Sequence, residues 1–427
     1  MAITLVLGIV GNGFPPFVRD NARAIIYTTL SLTFLFLLKL WTAGRANPAD
    51  QLLHGKVVLL TGGTSGIGAQ TALQLAQRGA QLVLLTQSPD TDPFLVEYIQ
   101  DLRERTNNNL IYAEQVDLSD FHSIRTFATK WIDNAPPRRL DMVILCAATL
   151  TPPGGKRKES EEGIEETWMV NFLANFHLLS ILSPALRIQP IDRDVRIIIP
   201  TCSAYIGSPS LKKEISKKSW SPGTAYARSK LALNVFGTAY QKHLDVYKRP
   251  DGGIMNTRVI FVDPGLARTP STRRWLTRGS LWGLFFYLVG YIFPWFLLKS
   301  PNMAAQSILY AAMDKNLGRE QGGKLIKECM EVDFARSEIK DEEVAKKLWE
   351  DSDALIEKVE KIQAKKRAAK KAEEEARAKE QKAQDEAKAR EKKAQEQKEE
   401  VRGLVDAIKK GKEQEKQKAK AKKSKAK

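Results

Sequence analysis

Residues 56–68 read KVVLLTGGTSGIG: a short run of Val and Leu, then a turn carrying four glycines. The next residues, 69–78, have helix-forming composition and end at Gly79. The apolar run predicts a buried strand. The glycines let the backbone turn sharply and let a pyrophosphate approach the helix N-terminus, where free N–H groups favour negative charge. Strand, glycine turn and helix in that order make the pattern informative; the turn alone would also serve packing.

Working outward, the rhythm of strand and helix continues. Apolar runs at 81–85, 142–145, 196–199 and 259–262 read as further strands, separated by lengths that suit helices. This pattern predicts an α/β fold of the Rossmann type, a doubly wound parallel sheet. Within it, Tyr226-Ala227-Arg228-Ser229-Lys230 puts a phenol and an ammonium four residues apart on one helix face. Beside a cofactor the cation can lower the phenol's pKa and make it usable as an acid or base. A surface helix pair would have the same spacing. After the last of these strands come Asp263-Pro264-Gly265 and then Thr269.

Over residues 52–330 this set of motifs resembles the short-chain dehydrogenases/reductases, and the spacing up to about 357 resembles the retinol-dehydrogenase-like subgroup. The resemblance implies that Thr61, Gly62, Thr64, Ser65, Gly66, Ile67 and Gly68 hold a dinucleotide's pyrophosphate. It implies that Asp117 contacts the adenine and that Gln87 and Ala147 line the cofactor cleft. Pro264, Gly265 and Thr269 would close over the nicotinamide carboxamide. Asn171 would hold a water of the proton relay, Ser203 would orient a carbonyl, Tyr226 would be the acid/base, and Lys230 would bind the ribose. Thr201 is the alternative to Ser203, because the interval from Ser203 to Tyr226 carries a Lys-rich insertion at 211–219.

Two positions depart from the family. Leu145-Cys146-Ala147-Ala148 stands where it usually has Asn-Asn-Ala-Gly, so amides that brace the cofactor pocket are missing. Thr86-Gln87 offers neither an acid for the ribose hydroxyls nor an Arg for a 2′-phosphate; without a repelling carboxylate, NADP is favoured over NAD. The resemblance thus implies an NAD(P)-dependent enzyme in which Tyr226 delivers the proton as hydride reaches a carbonyl. The first departure keeps open an alternative, a catalytically impaired scaffold that works through its tail.

The rest of the chain concerns attachment. It has 427 residues, a net charge of +17, and Cys146, Cys202 and Cys329 as its three cysteines, a set that makes neither a disulfide framework nor a metal motif. Residues 358–427 hold 26 Lys and Arg against 14 Asp and Glu, so about +12 of the charge lies in this Lys/Glu/Ala-rich tail. The body is near neutral, which argues against nucleic acid as the partner. Acid-before-base pairs such as Glu373–Arg377 support a helix. Both a solvated, partly helical or disordered extension and a clamp on anionic lipid, RNA or an acidic partner fit.

Residues 24–38 contain no charge, and with Lys39 snorkelling and Trp41 at the interface the run reaches spanning length. The expected layout is a membrane anchor and linker at 1–50, the catalytic domain at 51–357, and the tail at 358–427. The apolar run 1–10 and the turn after it could form a hairpin with the anchor. Residues 280–298 are dense in Leu, Phe and Trp where relatives carry a substrate lid. A lipophilic pocket dipping into a bilayer, a second membrane segment and plain core are the readings open for it. The expected partners are a lipophilic alcohol or carbonyl, membrane lipid and, as assembly, a homodimer. The expected site is the endoplasmic reticulum or lipid-droplet membrane, with the catalytic domain facing the cytosol.

Overall fold

The computed structural model describes residues 16–213 and 219–424. The apolar run 1–10 with most of the turn after it, the centre of the Lys-rich loop and the last three residues of the basic tail lie outside the described residues.

Eight strands build one sheet: β1 (Val57–Thr61), β2 (Gln81–Thr86), β3 (Ile111–Gln115), β4 (Met142–Leu145), β5 (Val195–Pro200), β6 (Thr257–Asp263), β7 (Lys324–Lys327) and β8 (Met330–Val332). Their order is β3-β2-β1-β4-β5-β6-β7-β8, and every pairing is parallel except β7–β8. β1 is buried along its whole length, as expected of a central parallel strand covered on both faces. Its entry is fixed by Asp141, which accepts the Val57 N–H at 2.8 Å while Arg139 holds the same carboxylate from outside. The last two strands escape periodicity analysis because they are only four and three residues long.

Helices cover both faces. On one, Ala72, Leu75 and Ala76 of the helix Gly66–Gln77 join Ile308, Leu309 and Ala312 of Pro301–Met313 over the sheet. The other face carries Phe121–Ile132, Ala174–Arg187 and Pro222–Val246. There Phe176 and Phe236 meet with ring centroids 4.8 Å apart, and Trp349 packs against both. The chain leaves β1 toward β2 and β3, then returns to place β4 on the other side of β1. That reversal opens a crevice at the carboxyl ends of β1 and β4, where open α/β sheets bind ligands.

The helix Ala22–Ala43 has 22 residues and none of them is buried. At 1.5 Å per residue it is about 33 Å long, matching the hydrocarbon thickness of a bilayer. It ends at Gly44, whose φ of +79° turns the chain away. The following residues are pinned to the domain: Arg45 N–H donates to Glu328 Oε2 at 3.0 Å and Asn47 N–H to Gln306 Oε1 at 3.1 Å. Asp50 pairs with Arg78.

Residues 268–298 form a closed excursion. Arg268 N–H donates to the Lys299 carbonyl and Lys299 N–H to the Leu266 carbonyl, zipping its two ends together. Inside it, Leu281–Val289 and Ile292–Leu297 are short helices with no buried residue, which removes plain core as a description. Trp282 is 73% exposed and Phe286 68%. At nine and six residues, neither helix is long enough to span a bilayer.

The chain divides into two compact units between Glu357 and Lys358. The final helix runs Glu342–Ser424; in the second unit Lys370–Glu374 and Lys371–Glu375 approach to 3.9 Å, pairs too exposed to stabilise it much.

Phe261 in β6 is fully buried and meets Phe334 edge-on at 5.1 Å. Phe261→Ala should cost about 3–5 kcal/mol of the first unit's stability, read by chemical denaturation.

Candidate active site

The glycine turn is shaped by close backbone approach. At Gly62, which has a φ of +66°, a Cβ would lie 2.8 Å from the backbone N and Cα of Ala147. A Cβ on Gly68 would meet the Gly62 carbonyl oxygen at 2.1 Å. Thr61 Oγ1 accepts the Ala147 N–H at 3.1 Å, joining β1 to the loop after β4. Tyr98 donates to the Gly63 carbonyl at 2.8 Å and braces the turn from outside. Ser65 precedes the helix Gly66–Gln77 but makes no side-chain cap, so the first-turn N–H groups stay available to a ligand. Thr64 and Ser65 are exposed there and Ile67 is half-buried.

Two strands build the end of the cleft expected to take the adenine. Gln87, just past β2, donates from Nε2 to Asp117 Oδ2 at 3.1 Å. The other oxygen of Asp117 accepts the Ser119 N–H at 2.7 Å. At the opposite end, Gly265 has a φ of +75° and donates its N–H to Asp263 Oδ1 at 3.0 Å. Pro264 offers its carbonyl to Lys299 Nζ at 3.4 Å. Thr269 caps Pro270–Leu276 by accepting the Thr272 N–H, and a Cβ on Gly66 would stand 3.3 Å from the Thr269 side chain. The loop after β6 therefore reaches back to the glycine turn.

Tyr226 and Lys230 lie one turn apart on Pro222–Val246, whose start is set by the capping box of Ser221 and Thr224. Lys230 Nζ sits 5.8 Å from the Tyr226 ring centroid and donates to the Pro200 carbonyl at 3.1 Å. Burial pushes the Tyr226 phenol well above its ordinary value, and Cys202 and Asp263 add to the rise. Burial pushes the Lys230 ammonium down. The lowering expected from the Lys230 cation is not among the influences on the phenol, which burial dominates. The phenol keeps its proton at neutral pH, the form an acid needs.

Two expected residues have different surroundings from those foreseen. Ser203 does not face Tyr226; its hydroxyl donates to Asp263 Oδ2 at 3.1 Å. The group against the phenol is Cys202, whose S–H donates to the Tyr226 oxygen at 3.8 Å. The alternative, Thr201, is buried, and its hydroxyl has no partner among the described residues. The way the chain leaves β5 brings Cys202 to the phenol and Ser203 to Asp263. The signal available in the sequence was the neighbouring Cys202, a weak donor of similar size to Ser.

Asn171 is fully buried in the π-helical turn Met169–Leu173, and its side chain is committed to protein. Oδ1 accepts the Thr149 N–H at 2.7 Å, while Nδ2 donates to the Thr149 carbonyl at 3.0 Å and to Ser229 Oγ at 3.1 Å. It therefore positions the loop after β4 against the helix of Tyr226. From another element it fixes Thr149, the residue directly after Leu145-Cys146-Ala147-Ala148. Burial pushes the Cys146 thiol up to about 12.

A glycine cradle with no room for side chains, an uncapped helix N-terminus and a half-buried Tyr226 beside the buried Lys230 at a sheet's switch point define a dinucleotide-dependent oxidoreductase. The chain belongs to the short chain dehydrogenase family, whose pattern matches residues 56–278. It is similar to the "Uncharacterized oxidoreductase pbr1" of Schizosaccharomyces pombe, 42% identical over 346 residues, covering 80% of this chain and 92% of that one. It is also similar to retinol dehydrogenase 13 of Mus musculus, 32% identical over 321 residues (75% of this chain, 89% of that one). Polyprenol dehydrogenase of Mus musculus is 29% identical over 299 residues, 69% of this chain and 82% of its own. The protein is an NAD(P)-dependent dehydrogenase/reductase. Bound in the cradle, the nicotinamide dinucleotide supplies or accepts the hydride.

Asn171→Ala should cost about 1–3 kcal/mol on denaturation, because it leaves the half-buried N–H and carbonyl of Thr149 without their partner and empties a fully buried site. Cys202→Val should lower turnover at least ~10-fold while Ser203→Ala changes it less than ~2-fold, measured as NADPH oxidation.

Proposed function

We propose that the protein is a membrane-associated oxidoreductase acting on a lipophilic alcohol or carbonyl of retinoid-, sterol- or fatty-chain-like character. The observation that carries this reading is the lid: the segment after the nicotinamide loop is apolar, unburied, and fastened to the apolar helix Ala22–Ala43. A water-soluble substrate would not need such a surface. The names of the relatives, one a retinol and one a polyprenol dehydrogenase, agree with a long apolar substrate.

In the reducing direction Tyr226 gives its proton to the substrate oxygen. Cys202 steadies the same oxygen as a weak donor, and Lys230 holds a positive charge behind the phenol. Asn171 and Ser229 keep the helix of Tyr226 in register with the cofactor loop. NADP is the favoured cofactor, because neither Thr86 nor Gln87 places a carboxylate at the end of β2 to repel a 2′-phosphate. The anchor would seat the enzyme in the endoplasmic reticulum or lipid-droplet membrane with the catalytic unit in the cytosol. The basic tail would contact anionic lipid or an acidic partner, and the enzyme would work as a homodimer. A scaffold role for an inactive fold is less favoured once Asn171 fixes Thr149, directly after the departing residues.

The full chain with NADPH is expected to reduce long-chain aldehydes or ketones in preference to short ones. Tyr226→Phe should lower kcat at least ~10²-fold, with NADPH affinity nearly unchanged. Equal turnover in the variant, or no nucleotide-induced thermal stabilisation of the parent, would refute the assignment.

A further inference from the structure

The chain contains no Asp or Glu from Pro264 to Met313, yet this stretch holds Arg268, Arg273, Arg274, Arg278 and Lys299. Elsewhere in the domain several arginines are neutralised: Arg78, Arg105, Arg139, Arg196, Arg249 and Arg336 each hold a carboxylate within 4.0 Å. Arg273, Arg274 and Arg278 are exposed, and no carboxylate pairs with them among the described residues. They lie on and just after Pro270–Leu276, directly before the helices that expose Trp282, Phe285 and Phe286.

The position of this surface relative to the apolar helix is also set. Lys39 Nζ donates to the Trp295 carbonyl and stands 4.6 Å from the Trp295 ring centroid. Thr42 donates to the Phe296 carbonyl at 2.8 Å. Lys39 and Thr42 occupy the last turns of Ala22–Ala43, the level at which a spanning helix leaves the hydrocarbon. In a bilayer that takes up Ala22–Ala43 the lid would sit at headgroup depth, with aromatic side chains beside unneutralised arginines, the composition of an interfacial helix.

We propose that residues 268–298 are a docking surface for the anionic phospholipid headgroups of the bilayer that receives Ala22–Ala43. Arg273, Arg274 and Arg278 bind the headgroup phosphates and carboxylates while Trp282, Phe285 and Phe286 enter the acyl boundary. Guanidinium forks suit phosphate oxygens, and the missing acids remove any competing intramolecular partner. This inference rests on the membrane-associated reading above and adds a lipid class to it.

The test uses the full chain reconstituted with phosphatidylcholine vesicles or with vesicles containing about 30% phosphatidylserine. Backbone hydrogen exchange over residues 268–298 should slow at least about fivefold in the anionic vesicles. The variant Arg273→Gln/Arg274→Gln/Arg278→Gln should lose that slowing while NADPH still raises its melting temperature, which shows that it folds. Equal exchange in the two vesicle types overturns the proposal. So does slowing that survives in the triple variant, which would assign the effect to the basic tail. Flotation with the neutral vesicles tests the anchor by itself, so its failure is separable from failure of the arginine surface.

Discussion

The site depends on how closely two backbones can pass. Between the turn after β1 and the loop after β4 there is no space for a side chain at Gly62, and the Thr61 hydroxyl bonds the Ala147 N–H across the gap. This contact lies where the strand order reverses, so it sets the floor of the crevice in which the dinucleotide binds. A Cβ at Gly62 or Gly68 would force the first helix away from β4. Its N-terminus would then no longer point at the cofactor's phosphates. The small residues of Cys146-Ala147-Ala148 belong to the same constraint, since they let the loop lie against the glycine turn.

The features legible from sequence were those written in consecutive residues. The strand at 56–60 and its glycine turn, the Tyr226–Lys230 spacing and the Asp263-Pro264-Gly265 loop all carry their meaning locally. What escaped was set by distant partners or by short length. Asn171 acts on Thr149 and Ser229, 22 and 58 residues away, and no local pattern shows those partners. Ser203 was the natural choice by chemistry, but the exit of β5 turns Cys202 toward the phenol and sends Ser203 to Asp263. β7 and β8 are too short to show a period. Residues 281–297 were readable as apolar; that none of them would be buried was not.

Asn171 also changes the meaning of the family departure at residues 145–148. Losing two amides from a loop would loosen it if the loop braced itself. Here the brace comes from a π-helical turn across the domain and continues through Ser229, whose hydroxyl donates to the Tyr226 carbonyl at 2.8 Å. Cofactor loop and catalytic helix are thus joined by one buried side chain. A buried polar network of this kind is costly when any member is lost, so it rigidifies what it joins.

The segment after Gly44 was read as a linker, yet it has little slack. Arg45, Asn47 and Asp50 are each bonded to the catalytic domain within a few residues of the end of the apolar helix. An enzyme on a long flexible tether samples a hemisphere of solution and meets its substrate in three dimensions. With Ala22–Ala43 in a bilayer, as proposed, an enzyme fastened this closely would keep one face toward the membrane at a nearly constant height. For a substrate dissolved in the same leaflet, encounter becomes a lateral search in two dimensions, and the relevant concentration is moles per mole of lipid, not moles per litre.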